Sequence, residues 1–275
     1  MRPKGKLIPI GGNLSFGETG LLKKILDHIK GSASRIEIIT TASEIPEEVG
    51  NIYLQGLEDL GCSSCNIMHI ARREDVTDEQ YLERLKKADG VLFTGGDQMR
   101  LTTVFGGTEF LEILYDRYKR EEFVIAGTSA GAMAMTSTMI YPSTDSEVFL
   151  KNEIKFFSGL NLLKNVIIDT HFFDRARFWR LAQVVTCNPG YVGIGLCENT
   201  GVVISGGDLV KSLGIGQILI IDGHGIRHSN IAETEENAPL SIEHIIVHIL
   251  SGPNCFDLKE RKFYPDGIKD VGRIS

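Results

Sequence analysis

The sequence of 275 residues contains 29 lysines and arginines against 36 aspartates and glutamates, a formal net charge of −7 at pH 7. This balance disfavours nucleic acid and anionic membranes as partners, because the phosphate groups of both bind basic surfaces. Hydrophobic residues make up 42% of the chain and charged residues 24%, as in a globular protein, and no apolar stretch approaches the roughly 20 residues of a membrane span.

The amino-terminal segment and the cysteines indicate a reducing environment. The first residues include basic side chains but no apolar region of the length that a secretory signal needs, so we expect a cytoplasmic location. The five cysteines do not resemble a disulfide framework. Cys62 and Cys65 have redox or zinc spacing but lack a second matching pair, and we interpret them as reduced thiols beside a turn.

The first half of the sequence alternates strand and helix patterns. Short apolar runs predict strands over residues 6–10, 35–40, 65–70, 90–94 and 123–127. Apolar periodicity predicts helices over residues 21–29, from about residue 46, and over 78–88 and 109–120. Alternation of this kind predicts right-handed crossovers and a mostly parallel sheet that helices cover on both faces.

The second half contains more short strands. They are predicted over residues 166–169, 191–196, 202–205, 217–222 and 242–249, with a helix over 175–185. No proline-rich linker or change of composition separates the halves, so we expect residues 1–275 to form a single domain. The predicted fold class is a three-layer α/β architecture, a mostly parallel sheet flanked by helices, with additional short strands in the carboxy-terminal half.

Residues 127–131 form a Gly-x-Ser-x-Gly sequence directly after a strand-like run. This pattern is typical of a nucleophile elbow, a tight strand–turn–helix connection that exposes a serine hydroxyl. Gly127 and Gly131 are expected where the strand and helix nearly touch. Ser129 is therefore the candidate nucleophile, and it needs a base and a group that orients the base.

The candidate base and acid lie after predicted strands. His171 follows the strand over residues 166–169, at a position where a rigid scaffold presents a base. Glu198 follows the apolar run that ends at residue 196 and is the candidate acid. Asp145 and Asp169 remain alternatives, since Asp169 would share a face with His171 if both lay in an extended strand.

Further polar groups are predicted at the same sheet edge, where ligands bind in parallel α/β folds. The backbone N–H groups of Gly96 and Ala130 are placed to form an oxyanion hole, and Gln98 to position a substrate. A plain turn ending in an Asp97 helix cap is the alternative for residues 95–98.

Arginines follow the candidate base at positions 175, 177 and 180. Guanidinium groups bind carboxylates through paired hydrogen bonds, so Arg175, Arg177 and Arg180 predict an acidic group on the substrate. A solvated basic helix face is the alternative.

Taken together these motifs resemble the cyanophycinase family, serine peptidases of the dipeptidase E superfamily with a glutamine-amidotransferase-like, flavodoxin-like fold. The likeness runs from residue 6 to about residue 261 and rests on four segments that occur in order: residues 93–98, 127–132, 169–172 with the arginines that follow, and 193–198. The resemblance implies Ser129 as nucleophile, His171 as base and Glu198 as orienting acid. It implies that the substrate-binding residues are Gln98, Asp169, Arg175, Arg177 and Arg180.

The resemblance also implies an activity. Cyanophycinases cleave cyanophycin, a poly-aspartate with arginine linked to each side-chain carboxyl, into β-Asp-Arg dipeptides. We therefore expect a serine exopeptidase acting on β-aspartyl-type peptide bonds, which is a homodimer and needs neither metal nor cofactor. The alternatives are an α-aspartyl or isoaspartyl dipeptidase of the same superfamily and a non-catalytic protein that binds aspartyl peptides.

Other hydrolase classes fit the sequence less well. An ordinary α/β-hydrolase has the order serine, acid, histidine, whereas the order here is serine, histidine, acid. Amidotransferases carry cysteine where this elbow has serine. The chain departs from the pattern of the family it resembles at Cys197, where an acid is common, and in the aromatic residues expected to border the site, Phe172, Phe173, Phe178 and Trp179.

Overall fold

The computed structural model describes residues 2–141, 150–151, 154–265 and 267. The α-helices of this part of the chain are α1 (Leu21–His28), α2 (Pro46–Asp59), α3 (Glu79–Lys87), α4 (Gln98–Phe105), α5 (Glu109–Arg120), α6 (Ala130–Met133) and α7 (Phe178–Cys187). The strands of its first half are β1 (Lys6–Ile10), β2 (Arg35–Ile39), β3 (Ser64–Met68), β4 (Gly90–Phe93), β5 (Val124–Thr128), β6 (Thr138–Tyr141) and β7 (Lys155–Ser158). Those that follow are β8 (Val166–Asp169), β9 (Val192–Leu196), β10 (Thr200–Ser205), β11 (Leu209–Gly214), β12 (Ile218–Asp222), β13 (His228–Ser229), β14 (Ile242–Glu243), β15 (Ile246–Leu250), β16 (Cys255–Asp257) and β17 (Lys262–Tyr264).

The described residues form one large sheet whose strand order is β17-β16-β11-β10-β1-β5-β4-β2-β3. The strands from β1 to β3 in this order pair in parallel, as the alternation of strands and helices predicted. The strands from β10 to β17 extend the sheet at its other edge through antiparallel pairs. The predicted α/β fold with additional carboxy-terminal strands is confirmed, although the complete sheet is mixed.

A second sheet of the described chain has the order β15-β12-β9-β8. β8 and β9 are parallel, and β12 and β15 add antiparallel partners. The two strands that precede His171 and Glu198 therefore belong to this sheet, whereas β5, which precedes Ser129, belongs to the large one.

The core connects the two sheets. One cluster of buried apolar side chains includes Leu7 and Ile125 from the large sheet together with Ile168, Ile194 and Ile220 from the second. A separate cluster lies between the large sheet and α1 and α2. Both faces of the parallel strands are thus covered, which explains why β4 and β5 are buried along their whole length.

Some predicted boundaries need correction. The helix predicted over residues 175–185 begins at Phe178, because the preceding residues form turns and Ala176 has a left-handed φ of 48°. The strand predicted over residues 242–249 is divided into β14 and β15, since His244 has a φ of 65°. Helix α4 was not predicted at all. Its N-cap is Asp97, whose carboxylate accepts the N–H of Met99, as the alternative for residues 95–98 proposed.

Cys62 and Cys65 are buried free thiols that hydrogen-bond the backbone oxygens of Ser34 and Cys62. Burial raises the pKa of the Cys65 thiol to about 12, which disfavours the thiolate that metal binding or disulfide exchange requires. None of the helices in the described ranges is long and apolar enough to cross a membrane.

Candidate active site

Ser129 lies on the tight turn between β5 and α6. Its backbone has φ 51° and ψ −111°, a strained conformation of the kind that costs about 1–3 kcal/mol and persists where the surrounding structure fixes it. A Cβ atom on Gly127 would lie 2.6 Å from the carbonyl of Gly131, and one on Gly131 would lie 2.6 Å from the oxygen of Phe93. The steric reason predicted for glycine at both positions is confirmed.

The imidazole of His171 is hydrogen-bonded to this serine. His171 follows β8, and its Nε2 lies 3.0 Å from Oγ of Ser129. Its backbone N–H donates to the oxygen of Gly11 at 3.0 Å, which ties the end of β8 to the end of β1. A residue that follows a strand of the second sheet thus places its imidazole against the nucleophile elbow of the large sheet.

Glu198 is hydrogen-bonded to the other side of the His171 ring. Its Oε1 lies 2.9 Å from Nδ1 of His171, so the imidazole is held between a carboxylate and a hydroxyl. The pKa of the Glu198 carboxyl is lowered, first by its hydrogen bond with His171 and then by one with Asn13. An ionised carboxylate in this place fixes the tautomer of the imidazole and stabilises its protonated form.

Two contacts from the loop after β1, those of Gly12 and Asn13, were not predicted from the sequence. Asn13, with a left-handed φ of 41°, donates its side-chain N–H to Oε2 of Glu198. Gly12 lies against the His171 ring, and a Cβ at that position would be 2.3 Å from Cε1. The pair Gly11-Gly12 ends a predicted strand and was expected at the same sheet edge as residues 95–98 and the elbow, but its contact with His171 was not predicted.

The backbone donors proposed for an oxyanion hole lie at the same site. Gly96 has a φ of 140°, and a Cβ there would lie 2.0 Å from the oxygen of Ala42, so the position admits no side chain. Ala130 begins α6, where an N–H has no acceptor within the helix. Within the described ranges, no backbone oxygen accepts the N–H of Gly96 or of Ala130.

A cavity of about 280 Å³ opens beside the serine. It is lined by Gly96, Gln98, Ser129, Ala130, Met133, Thr170, His171, Arg175, Arg177 and Arg180. Gln98 is buried and donates its side-chain N–H to the oxygen of Ile140 at 2.9 Å, which fixes the orientation of its amide. Most of the predicted substrate-binding residues therefore lie on the cavity wall.

Asp169 requires a correction. It is completely buried and is not among the residues that line the cavity. Arg180 donates Nε to its Oδ2 at 2.8 Å and Nη2 to its Oδ1, and Arg177 Nη1 lies 3.5 Å from Oδ1 and 2.7 Å from the oxygen of Thr170. Asp169 therefore holds these arginines in place and orients neither His171 nor a substrate. Asp145, the other alternative acid, lies outside the described residues.

The arginines give the cavity a positive wall. Arg175 is exposed at its mouth, while Arg180 is nearly buried. Nη1 of Arg180 is buried and has no hydrogen-bond partner among the described residues. Leaving such a donor unsatisfied costs about 1–3 kcal/mol, so an incoming carboxylate would be favoured here.

The predicted aromatic border is only partly at the surface. Phe172 belongs to the core and packs on Gly195, where a Cβ would lie 2.7 Å from its ring. Phe173 and Trp179 are about half exposed. Cys197 is buried, and burial raises the pKa of its thiol, so it adds no charge beside Glu198. Within the described part of the chain, no group of three or more histidine, cysteine or acidic side chains could hold a metal ion.

Comparisons with known proteins identify the family of the chain. The model of peptidase family S51 matches residues 8–212, a range that contains Ser129, His171 and Glu198. The chain is 33% identical to a cyanophycinase of Trichormus variabilis over 89% of this chain and 82% of that protein. It is 30% identical to a cyanophycinase of Synechococcus elongatus over 93% of this chain and 80% of that protein.

A solved structure shares the fold. The crystal structure of a peptidase from an acI-B1 Actinobacterium aligns with a TM-score of 0.63 at 22% identity, covering 90% of this chain and 98% of that one. At that identity the likeness supports the architecture alone, and the class of enzyme rests on the family match and the cyanophycinase relatives. The chain therefore belongs to peptidase family S51 and is a serine-type peptidase.

Proposed function

We propose that this peptidase degrades cyanophycin to β-Asp-Arg dipeptides through an acyl-enzyme formed on Ser129. The observation that carries the proposal is the unbroken hydrogen bonding from Oγ of Ser129 through the His171 imidazole to the Glu198 carboxylate, at the wall of a cavity bordered by arginines. The similarity to cyanophycinases at 30–33% identity supports the choice of substrate.

The acylation half of the reaction uses each group once. Oγ of Ser129 attacks the scissile carbonyl carbon while Nε2 of His171 takes the hydroxyl proton. The carbonyl oxygen becomes an oxyanion that the N–H groups of Gly96 and Ala130 stabilise. When the C–N bond breaks, the imidazolium gives its proton to the leaving amine, and the acyl group stays on Ser129 as an ester.

Deacylation repeats these roles with water as the nucleophile. Water attacks the ester carbonyl as His171 Nε2 removes one of its protons, and the same N–H groups bind the second oxyanion. Collapse of this intermediate returns the proton to Oγ of Ser129 and releases a carboxylic acid. Glu198 remains ionised throughout and stabilises the imidazolium in both halves.

The charge of the cavity supports an aspartyl substrate. Arg175 and Arg180 both line the cavity. The single negative charge of Asp169, which pairs with Arg180, offsets only part of their positive charge. A terminal carboxylate of an aspartyl peptide is a suitable partner for such groups. Release of β-Asp-Arg requires cleavage of the α-peptide bond between aspartyl units and leaves the β-aspartyl amide to arginine intact. For this substrate the bond that is cleaved is therefore not the β-aspartyl-type bond that we expected from the sequence.

The test compares Ser129→Ala with the wild type on purified cyanophycin, β-Asp-Arg, and α-aspartyl and isoaspartyl dipeptides, with products identified by mass spectrometry. Wild-type enzyme should accumulate β-Asp-Arg from cyanophycin without hydrolysing it to aspartate and arginine, and Ser129→Ala should be inactive. Ser63→Ala, at an exposed turn, is the matched control and should behave as wild type. Near-normal turnover by Ser129→Ala would contradict the mechanism, and hydrolysis of the dipeptides in place of cyanophycin would contradict the substrate.

We also infer that residues 1–275 act as one domain. The proposed nucleophile and base come from different sheets, and side chains of both sheets share one core cluster, which supports cooperative folding. Thermal unfolding followed by calorimetry should then show a single transition with matching calorimetric and van't Hoff enthalpies.

A further inference from the structure

We propose that Asn13 is a positioning residue of this peptidase, whose side-chain amide holds one oxygen of Glu198 so that the other faces His171. The inference rests on the proposed function, because it presupposes that Glu198 orients the imidazole. It adds a residue from the loop after β1 to a site otherwise built from strand ends and the elbow.

The two oxygens of Glu198 have different partners. Nδ2 of Asn13 donates to Oε2, and Nδ1 of His171 lies 2.9 Å from Oε1. The Glu198 side chain is 32% exposed, so water would hydrogen-bond to Oε2 if the Asn13 amide did not. Without the amide, rotation of the carboxylate would weaken its contact with the imidazole. Asn13 thus limits the carboxylate to the orientation that His171 needs.

The loop that carries Asn13 is itself fixed at both neighbouring strand ends. The oxygen of Gly11 accepts the N–H of His171 at 3.0 Å, and the oxygen of Gly12 accepts the N–H of Asn199 at 2.8 Å. A Cβ on Gly11 would lie 2.0 Å from the oxygen of Cys197, so the loop is in direct contact with the segment leading to Glu198. The Asn13 amide is therefore presented to Glu198 by a preformed backbone.

Nearby charged groups would still lower the pKa of the Glu198 carboxyl if the Asn13 amide were removed. His171 and Arg175 both lower the pKa of the Glu198 carboxyl, and the hydrogen bond from Asn13 lowers it further. Loss of Asn13 should then raise this pKa without abolishing the effect of the other two groups. The titration of the Glu198 carboxyl, followed by NMR, should therefore move to higher pH in the variant.

Asn13→Gly isolates the side chain, because glycine adopts the left-handed φ of 41° without strain. The Asn13 side chain acts on Glu198 and is not among the residues that line the cavity, so kcat should fall about 10- to 100-fold while KM changes little. Asn13→Asp should lose as much or more, since it places a second carboxylate beside Glu198, and it gives the same comparison if the glycine variant does not fold. The substrate for the kinetics is purified cyanophycin, and the Glu198 carboxyl is titrated by NMR from acid to neutral pH.

Asn165→Gly is the matched control. Asn165 is exposed, has a left-handed φ of 57° and precedes β8, at the end opposite His171. It should leave kcat and the titration of the Glu198 carboxyl unchanged.

Unchanged kcat and an unchanged Glu198 titration in Asn13→Gly would overturn the role of Asn13. So would a loss of kcat accompanied by an equal loss of folding stability with no shift of the Glu198 titration, because that result indicates a structural role only. Both outcomes leave the proposed function standing as long as turnover still depends on Ser129. Failure of the proposed function is recognised separately, by an active Ser129→Ala variant.

Discussion

The ring of His171 lies directly against the backbone of Gly12. A Cβ atom at position 12 would be 2.3 Å from Cε1 and 2.8 Å from Nε2 of the ring, well inside van der Waals contact. Gly12 also has a φ of 127°, a region that residues with side chains rarely adopt. Position 12 therefore requires glycine for two independent reasons, and one of them is the placement of the imidazole.

The first prediction concerns this contact. Gly12→Ala should displace the His171 ring from Ser129 and lower kcat at least about 100-fold, because misplacement of a catalytic group by about 1 Å costs that much. KM should change less, since the arginines of the cavity are untouched. Steady-state kinetics of the purified variant checks both values.

Gly17→Ala is the control for backbone strain. Gly17 lies between β1 and α1 and has a φ of 83°, and a Cβ at this position would have no other atom within 4 Å. The variant should lose folding stability but keep kcat. If Gly12→Ala and Gly17→Ala have the same kcat, the ring contact is irrelevant to turnover.

The second prediction concerns the buried ion pair between Asp169 and Arg180. Asp169→Asn leaves two guanidinium groups without a full counter-charge, and breaking a buried pair in this way costs about 3–5 kcal/mol of stability. The free energy of unfolding in urea should fall by about that amount. KM should rise as well, because Arg177 and Arg180 lose the group that orients them at the cavity wall.

Asp27→Asn serves as the comparison, since Asp27 forms an exposed ion pair with Lys23. Pairs of that kind contribute about 0–1 kcal/mol, so the variant should be nearly as stable as the wild type. Equal stability losses in the two variants would show that burial of Asp169 has no special energetic consequence.

The sequence predicted the parallel part of the fold because its strands are short apolar runs that glycines or polar turns interrupt. It did not predict α4, because Gln98–Phe105 is only 8 residues long, and so short a run is hard to distinguish from the loop that the preceding glycines indicate. Nor did it predict which sheet each later strand joins. β8 and β9 have the same apolar character as β1 and β5, and only tertiary packing separates them.

Within the site, the Gly-x-Ser-x-Gly motif indicated Ser129, and the ends of predicted strands made His171 and Glu198 candidates, whose roles came from the family resemblance. Asp169 was misjudged through the alternation of side chains along a strand. That rule requires an extended chain, but β8 ends at Asp169, and His171 has a φ of 50°. The turn sends the carboxylate toward the arginines and the imidazole toward Ser129. Asn13 was missed because asparagine in a loop is common and its partner lies 185 positions away.

The third prediction concerns pH. The pKa of Glu198 is lowered from its usual 4.5, so the ionised carboxylate stabilises the fold above that pH, and this stabilisation is lost as the pH falls through the lowered pKa. The difference in unfolding free energy between wild type and Glu198→Gln should be largest near pH 7 and should shrink in acid. Urea unfolding at several pH values measures it, and a difference that grows on acidification would contradict the sign.

The Glu198→Gln variant should also have a lower kcat. An amide at position 198 still occupies the place of the carboxylate but does not stabilise the imidazolium, and the loss of that charge lowers kcat about 10³- to 10⁴-fold in serine peptidases. Single-turnover kinetics on cyanophycin separates this effect from binding. A decrease below tenfold would show that another acid, such as Asp145, serves His171.

The last prediction concerns Arg175, which lines the mouth of the cavity and is exposed to solvent. Arg175→Gln should raise KM about 2- to 5-fold and leave kcat nearly unchanged, because an exposed charge pair contributes about 1 kcal/mol or less. Salt screens such a charge, so KM of the wild type should rise with ionic strength more steeply than KM of the variant. Arg120→Gln, at the exposed end of α5, alters net charge equally and should retain the wild-type salt dependence. If both variants show the same salt dependence, Arg175 acts only through the overall charge of the protein and not through contact with the substrate.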